Sequence, residues 1–166
     1  MADTRKVEAV ADTSFLIALQ WLELLETLEA LYSRVLVPNR VWEEFCAGAS
    51  EYEISAVSSI QGLQRAQVSN ATLAVAIEAA AGGGEAEVIA LALESGIALV
   101  LMDDYRGRKV AQRLGLKTRG TLGHLLALKR IGAIPTVKDY LNTLRERGFF
   151  LSDQIINEVL SRAGEQ

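Results

Sequence analysis

The chain has 166 residues, half of them hydrophobic and 23% charged, with a net charge of −4 and a pI near 5.1. Such a chain folds around one sizeable core rather than staying disordered. The acidic balance speaks against a sequence-blind nucleic-acid binder, which is usually basic, and no apolar stretch approaches the length of a membrane span.

"VEAVA" (7–11) reads as a strand, and Asp12 to Ser14 as a cap for the helix after it. The segment 15–31, "FLIALQWLELLETLEAL", is expected to be helical with a break near Gln20, and is apolar enough for a surface helix to suggest an interface. "RVLVP" (34–38) is a short strand, with Pro38 placed to start the next helix, "NRVWEEFCAG", which ends at Gly48. Residues 51–60 read as helix, 63–68 as a short strand, and "ATLAVAIEAA" as a helix leading to the triple glycine 82–84. The missing side chains of those glycines permit a close backbone approach. The helix "EAEVIALALES" (85–95) is apolar almost all round, hence buried, and Gly96 ends it. "IALVLM" (97–102) is a continuously apolar strand, as in a parallel sheet covered on both faces. From Arg106 to Arg119 there are six cations and no acid. "LKTRGT" then gives a short strand or loop. Three further helices end at Gly132, Gly148 and Gly164, the last capped by Ser152. Strands alternating with helices imply an open α/β sheet in a single domain over 1–166, with 136–166 as its C-terminal helical extension.

Cys46 and His124 are the only residues of their kinds, so an internal disulfide and a Cys/His zinc site within one chain are excluded. Chemistry is left to carboxylates. Asp12 ends the first strand, Asp103 and Asp104 end a later one, Glu44 lies in the helix after the second strand, and Glu85 and Glu87 open a buried helix. Open α/β sheets bind ligands outside the carboxyl ends of their strands, where these acids gather. Converging carboxylates repel, and Mg²⁺ or Mn²⁺, which prefer oxygen ligands, would relieve that. The pattern suits phosphodiester hydrolysis.

Each acid also has a plainer role. Asp12 can be a helix cap, Glu85 and Glu87 can complement a helix dipole, Glu43 and Glu44 can be solvated, and Asp103-Asp104 can be a turn. Glu85 and Glu87 point to nearly opposite sides of a helix, roughly 200° apart. Glu85 shares the more apolar stripe with Val88, Ile89 and Ala92, which favours it as the ligand; Glu44 is preferred to Glu43 because it follows Val41 by three. His124 among leucines is expected to be a packing residue, Cys46 core filler, and Trp21, Trp42 and Tyr32 core or interface aromatics. "GGGE" lacks the lysine and hydroxyl of a P-loop.

The segments "ADTSFLIAL", "VPNRVWEEF", "GGGEAEVIALALESGIALVLMDDYRGRKVAQRLGLKTRGTLGHLL" and "GFFLSDQIINEVL" resemble the PIN-domain family, in its prokaryotic branch related to the VapC toxin ribonucleases. The resemblance implies a PIN-like three-layer α/β fold, a central, mostly parallel sheet flanked by helices. It implies a Mg²⁺- or Mn²⁺-dependent ribonuclease, with a toxin of a toxin–antitoxin pair as its narrower form. Carried over residue by residue, the catalytic acids fall on Asp12, Glu44, Glu85 and Asp103. Glu87 and Asp104 are near alternatives as metal ligands, and Ser14 supports from behind. Tyr105, Arg106, Arg108 and Lys109 would contact RNA. Toxin members commonly carry aspartate where this chain has Glu85 or Glu87. Expected partners are an RNA substrate, a second copy in a homodimer and an antitoxin or other inhibitory protein, with no membrane. A cytoplasmic location is the default, since no signal-peptide h-region precedes the first strand. The alternative is a non-catalytic PIN-like interaction or nucleic-acid-binding module, for which the mean hydropathy of +0.19 also speaks.

Overall fold

A computed structural model describes residues 5–166, so the first four residues of the expected 1–166 domain lie outside it. Five strands form one sheet in the order β3-β2-β1-β4-β5, every neighbouring pair parallel. They are β1 (Val7–Ala11), β2 (Tyr32–Pro38), β3 (Leu63–Ala66), β4 (Leu99–Leu101) and β5 (Lys117–Arg119). The chain winds from β1 outward to β3, then returns to the other side of β1 for β4 and β5. The switch point of this winding therefore lies between β1 and β4, where the strand ends diverge and leave a crevice. Asp12 and Asp103 follow those two strands.

The helices are α1 (Thr13–Trp21), α2 (Leu28–Leu31), α3 (Asn39–Ala47), α4 (Glu51–Ser58), α5 (Ala71–Ala81), α6 (Gly83–Ser95), α7 (Tyr105–Arg113), α8 (Thr121–Arg130), α9 (Lys138–Glu146) and α10 (Asp153–Ala163). They flank the sheet, and a short 3₁₀ turn, Leu25–Thr27, precedes α2. Helix α6 packs on β1, β2 and β4. Its Ala86 and the run Val88 to Ala92 are all buried, as its all-round apolarity demands. Each large aliphatic side chain so covered contributes about 1.5–3 kcal/mol. Gly96 closes α6 with φ +68°, a left-handed turn that also lets Ile97 N–H bond back to Ala92. Strand β4 is shorter than its apolar sequence, but Met102 N–H still donates to Arg119 C=O at 3.0 Å and prolongs the ladder.

The break in the 15–31 segment falls after Trp21, next to Gln20, where it was expected. Glu23 adopts φ +56°, and Leu24 N–H reaches Leu19 C=O at 2.9 Å, a helix stop built without glycine. The apolar excess of this segment is used inside the chain: Phe15, Leu16, Ala18, Leu19, Leu22, Leu24 and Leu28 are all buried in the core. That removes the reason for placing an interface there. In α9 and α10 and the turn between them, Leu141, Leu144, Leu151 and Val159 join the same core. Among the described residues no helix is long and apolar enough to cross a membrane.

Candidate active site at the strand ends

Asp12 leaves β1 with an extended backbone and takes the first position before α1, yet its side chain makes no cap bond to that helix. The residue is only 4% exposed. Ser14 Oγ donates to its Oδ2 at 3.2 Å. Burial, followed by the negative charge of Glu85 and more weakly that of Glu44, pushes the carboxyl up from 3.8 to about 7, against the opposing pull of the Thr13 amide and the Ser14 hydroxyl.

Glu44 comes from α3, which Pro38 introduces as the last residue of β2. Thr13 Oγ1 donates to Glu44 Oε2 at 2.8 Å, tying α1 to α3. Arg40, one turn earlier on α3, approaches Glu44 at 3.4 Å and Glu78 of α5 at 3.6 Å. The triple glycine makes room for this arrangement. A Cβ on Gly83 would collide with the Arg40 guanidinium, and one on Gly84 would sit 3.4 Å from Glu44 Oε2 and 3.7 Å from Asp12 Oδ1. Two carboxylates thus face one small gap across a bare backbone. Glu85, in the first turn of α6, completes the group, and α7 packs against its stem only because residue 107 is glycine. A Cβ there would be 2.9 Å from Glu85 Cγ and 3.2 Å from Met102 Sδ.

Asp103 stands beside this group and is held separately. Thr121, at the start of α8, donates to it twice, from its amide at 2.7 Å and its hydroxyl at 2.6 Å. Burial pushes the Asp103 carboxyl up, while the Thr121 bonds and the Arg108 charge pull it down. Asp104 is exposed and accepts from Gly107 N–H at 2.7 Å, which makes it the cap of α7. Glu87 is half-buried and makes no hydrogen bond or ion pair among the described residues. The structure thus draws together Asp12, Glu44 and Glu85, with Asp103 alongside and Glu87 and Asp104 engaged elsewhere or not at all.

The four expected RNA contacts divide. Tyr105 is 74% exposed, with the Lys109 ammonium 5.3 Å from its ring centre. Arg106 instead donates to Ala80 C=O at 2.5 Å and closes the end of α5. Arg108 points toward Asp103 and Gly120. Gly84 belongs to the triple glycine read as permitting a close backbone approach. Thr13, Arg40, Gly107 and Thr121 were not expected here, and of these only Arg40 carried a legible signal, its i,i+4 spacing to Glu44.

His124 is wholly buried on α8 and bonded through both ring nitrogens. The Thr27 hydroxyl donates to Leu24 C=O, so Nε2–H of His124 donates to Thr27 Oγ1 at 3.2 Å. Nδ1 then accepts from Tyr32 O–H at 3.1 Å, and Tyr32 in turn accepts from Arg119 Nη1. Burial and the Arg119 charge push the imidazole down to about 3. His124 is a satisfied packing residue.

Among the described residues no three Asp, Glu, His or Cys side chains stand close enough together to ligate one ion directly. The donor chemistry nevertheless fits a hard divalent cation: all-oxygen, anionic, facing a gap that a single Cβ would fill. Mg²⁺ in particular retains several waters and needs only one or two protein carboxylates. No curated protein matches the chain. A family model described as a PIN domain matches residues 8–165, nearly the whole chain and every acid of the site. The chain belongs to the PIN-domain family.

Proposed function

We propose that this protein is a divalent-metal-dependent ribonuclease. PIN domains are generally nucleases, and one observation carries the narrower reading. The buried Asp12 at the sheet's switch point faces two further carboxylates, and no cation is among the charges that act on it, Arg40 pairing with Glu44 instead. Asp12, Glu44 and Glu85, with Asp103 alongside, are the residues that would hold Mg²⁺ or Mn²⁺. When bound, such an ion neutralises charge on a phosphate and makes a coordinated water more acidic. The chain's own part is positioning. Ser14 orients the Asp12 carboxylate, Thr13 and Arg40 hold Glu44, and Thr121 fixes Asp103 with two bonds. Gly84 keeps the gap open.

The test is to titrate Mn²⁺ into the wild type and an Asp12→Asn variant while following cleavage of structured and single-stranded RNA. Metal-dependent cleavage that vanishes in a folded variant supports the reading, and cleavage that survives the substitution overturns it. The toxin form adds growth arrest on expression, relieved by the same substitution. A second reading, a binding module without catalysis, draws on one feature: Glu44 is already engaged by Arg40 and Thr13. It requires that no RNA be cut at any metal concentration.

A further inference from the structure

A groove of about 510 Å³ runs from Asp103 between α8 and α10. Four arginines line it: Arg108 of α7, Arg119 of β5, Arg130 of α8 and Arg162 of α10. Among the described residues none of the four forms an ion pair. Outside the groove Arg34, Arg40, Arg65 and Arg145 form ion pairs, while Arg106, Arg113 and Arg147, scattered over the rest of the surface, form none among the described residues; the groove is where four such guanidiniums meet. Glu158 and Asp103 are the groove's carboxylates, and Asp103 is already engaged by Thr121. Phe150, between α9 and α10, stands 87% exposed on the same groove. Four guanidiniums without ion pairs on a chain of net charge −4 are a local reversal of sign.

We infer that this groove is the path of a single-stranded RNA leaving the acidic site, a placement that rests on the nuclease reading. Arg108, Arg130 and Arg162 would meet successive phosphates, and Phe150 would stack one base. Guanidinium forks match phosphate oxygens, and aromatic faces accept any base, so the contacts give affinity and direction without sequence choice. The groove starts at Asp103, so a strand lying in it begins at the acid that stands beside Asp12, Glu44 and Glu85. An acidic peptide would satisfy the arginines but leave Phe150 without a role.

The experiment measures binding of a labelled 2′-O-methyl oligoribonucleotide, protected from metal-dependent cleavage by EDTA, by anisotropy across a salt series. Variants are Arg130→Ala/Arg162→Ala, Phe150→Ala and, as a control on α7 outside the groove, Arg113→Ala. All four positions are exposed, so the fold is expected to survive, and melting curves check it. Two lost phosphate contacts reduce the salt slope by about 1.4, which is roughly a 25-fold loss near 0.1 M salt relative to 1 M. Phe150→Ala weakens binding about tenfold at every salt concentration, since stacking releases no counterions. Groove variants that bind like wild type while the wild type still cleaves RNA overturn the groove and leave the nuclease standing. Groove-dependent binding by a wild type that never cleaves supports the groove and sinks the nuclease. A poly-glutamate peptide that binds the groove where the oligonucleotide does not overturns the inference.

Discussion

Replacing Asp12 by asparagine should stabilise the protein, and the effect should depend on pH. The carboxyl rises from 3.8 to about 7 on folding. For an acid raised on folding, the native state binds the extra proton between those values. Stability is therefore fully present below 3.8 and lost as pH climbs through 7. Near pH 8 the carboxylate is charged in both states and the folded state bears the whole cost, about 4 kcal/mol at about 1.36 kcal/mol per pKa unit. An asparagine in its place would keep the shape and could still accept from Ser14, but it carries no charge. For a chain of this size the gain corresponds to a rise on the order of 10 °C in Tm near pH 8, shrinking toward zero near pH 4. Urea melts of both proteins at the two pH values measure it. Adding Mg²⁺ or Mn²⁺ should raise the wild-type midpoint and leave the variant unmoved. If Asp12 were only a helix cap, asparagine would serve equally well at both pH values. A variant no more stable than wild type near pH 8, with an unchanged m-value, refutes the reasoning.

Two more outcomes follow from the same geometry. Gly84→Ala places a methyl group in the gap at ordinary contact distance from Glu44 and Asp12. Alanine favours the helix by about 1 kcal/mol, so stability should hold or rise while Mn²⁺ binding and cleavage fall; calorimetric metal titration beside thermal melts separates the two. His124, the only histidine, should give a single imidazole NMR resonance that does not titrate until near pH 3. Its pKa is depressed on folding, so its contribution is complete above 6.5 and lost as pH falls toward 3, at most about 5 kcal/mol. A midpoint near 6.5 would contradict the buried, doubly bonded ring.

The fold was largely legible because its signals are local. Gly48, Gly96 and Ser152 mark helix ends as expected, and the apolar run 97–102 contains the parallel strand β4, buried throughout over Leu99–Leu101. The break near Gln20 was also legible, but not its cause: Glu23, not glycine, takes the left-handed position, between the buried Leu22 and Leu24. Strand-end placement gathers the acids at one edge, but it does not sort their roles. Asp103 and its partner Thr121 are 18 positions apart, and Arg106 reaches carbonyls 26 and 27 positions away. No spacing rule joins such pairs. The basic groove was only half visible for a related reason. Arg108 and Arg119 lie in the cationic stretch 106–119, but Arg130 and Arg162 come from α8 and α10, and each of those alone looks like an ordinary polar face.

Three polar or charged residues are buried among those described: Asp12, Thr121 and His124. Burial of polar groups is costly unless partners replace water. Thr121 gives its hydroxyl proton to Asp103, and His124 closes a directional chain from Arg119 to Leu24. Both are satisfied, and both are explained by packing alone. Asp12 differs in kind. The Thr13 amide and the Ser14 hydroxyl at 3.2 Å only partly offset its burial, and the charges that act on it carry its own sign. A neutral residue at the tip of β1 is expected to make a more stable protein above pH 7. The carboxylate stands at the switch point of the sheet, beside a glycine that leaves the space before it open. On the proposed reading, a bound cation would balance that charge and offset the cost, which packing alone does not do.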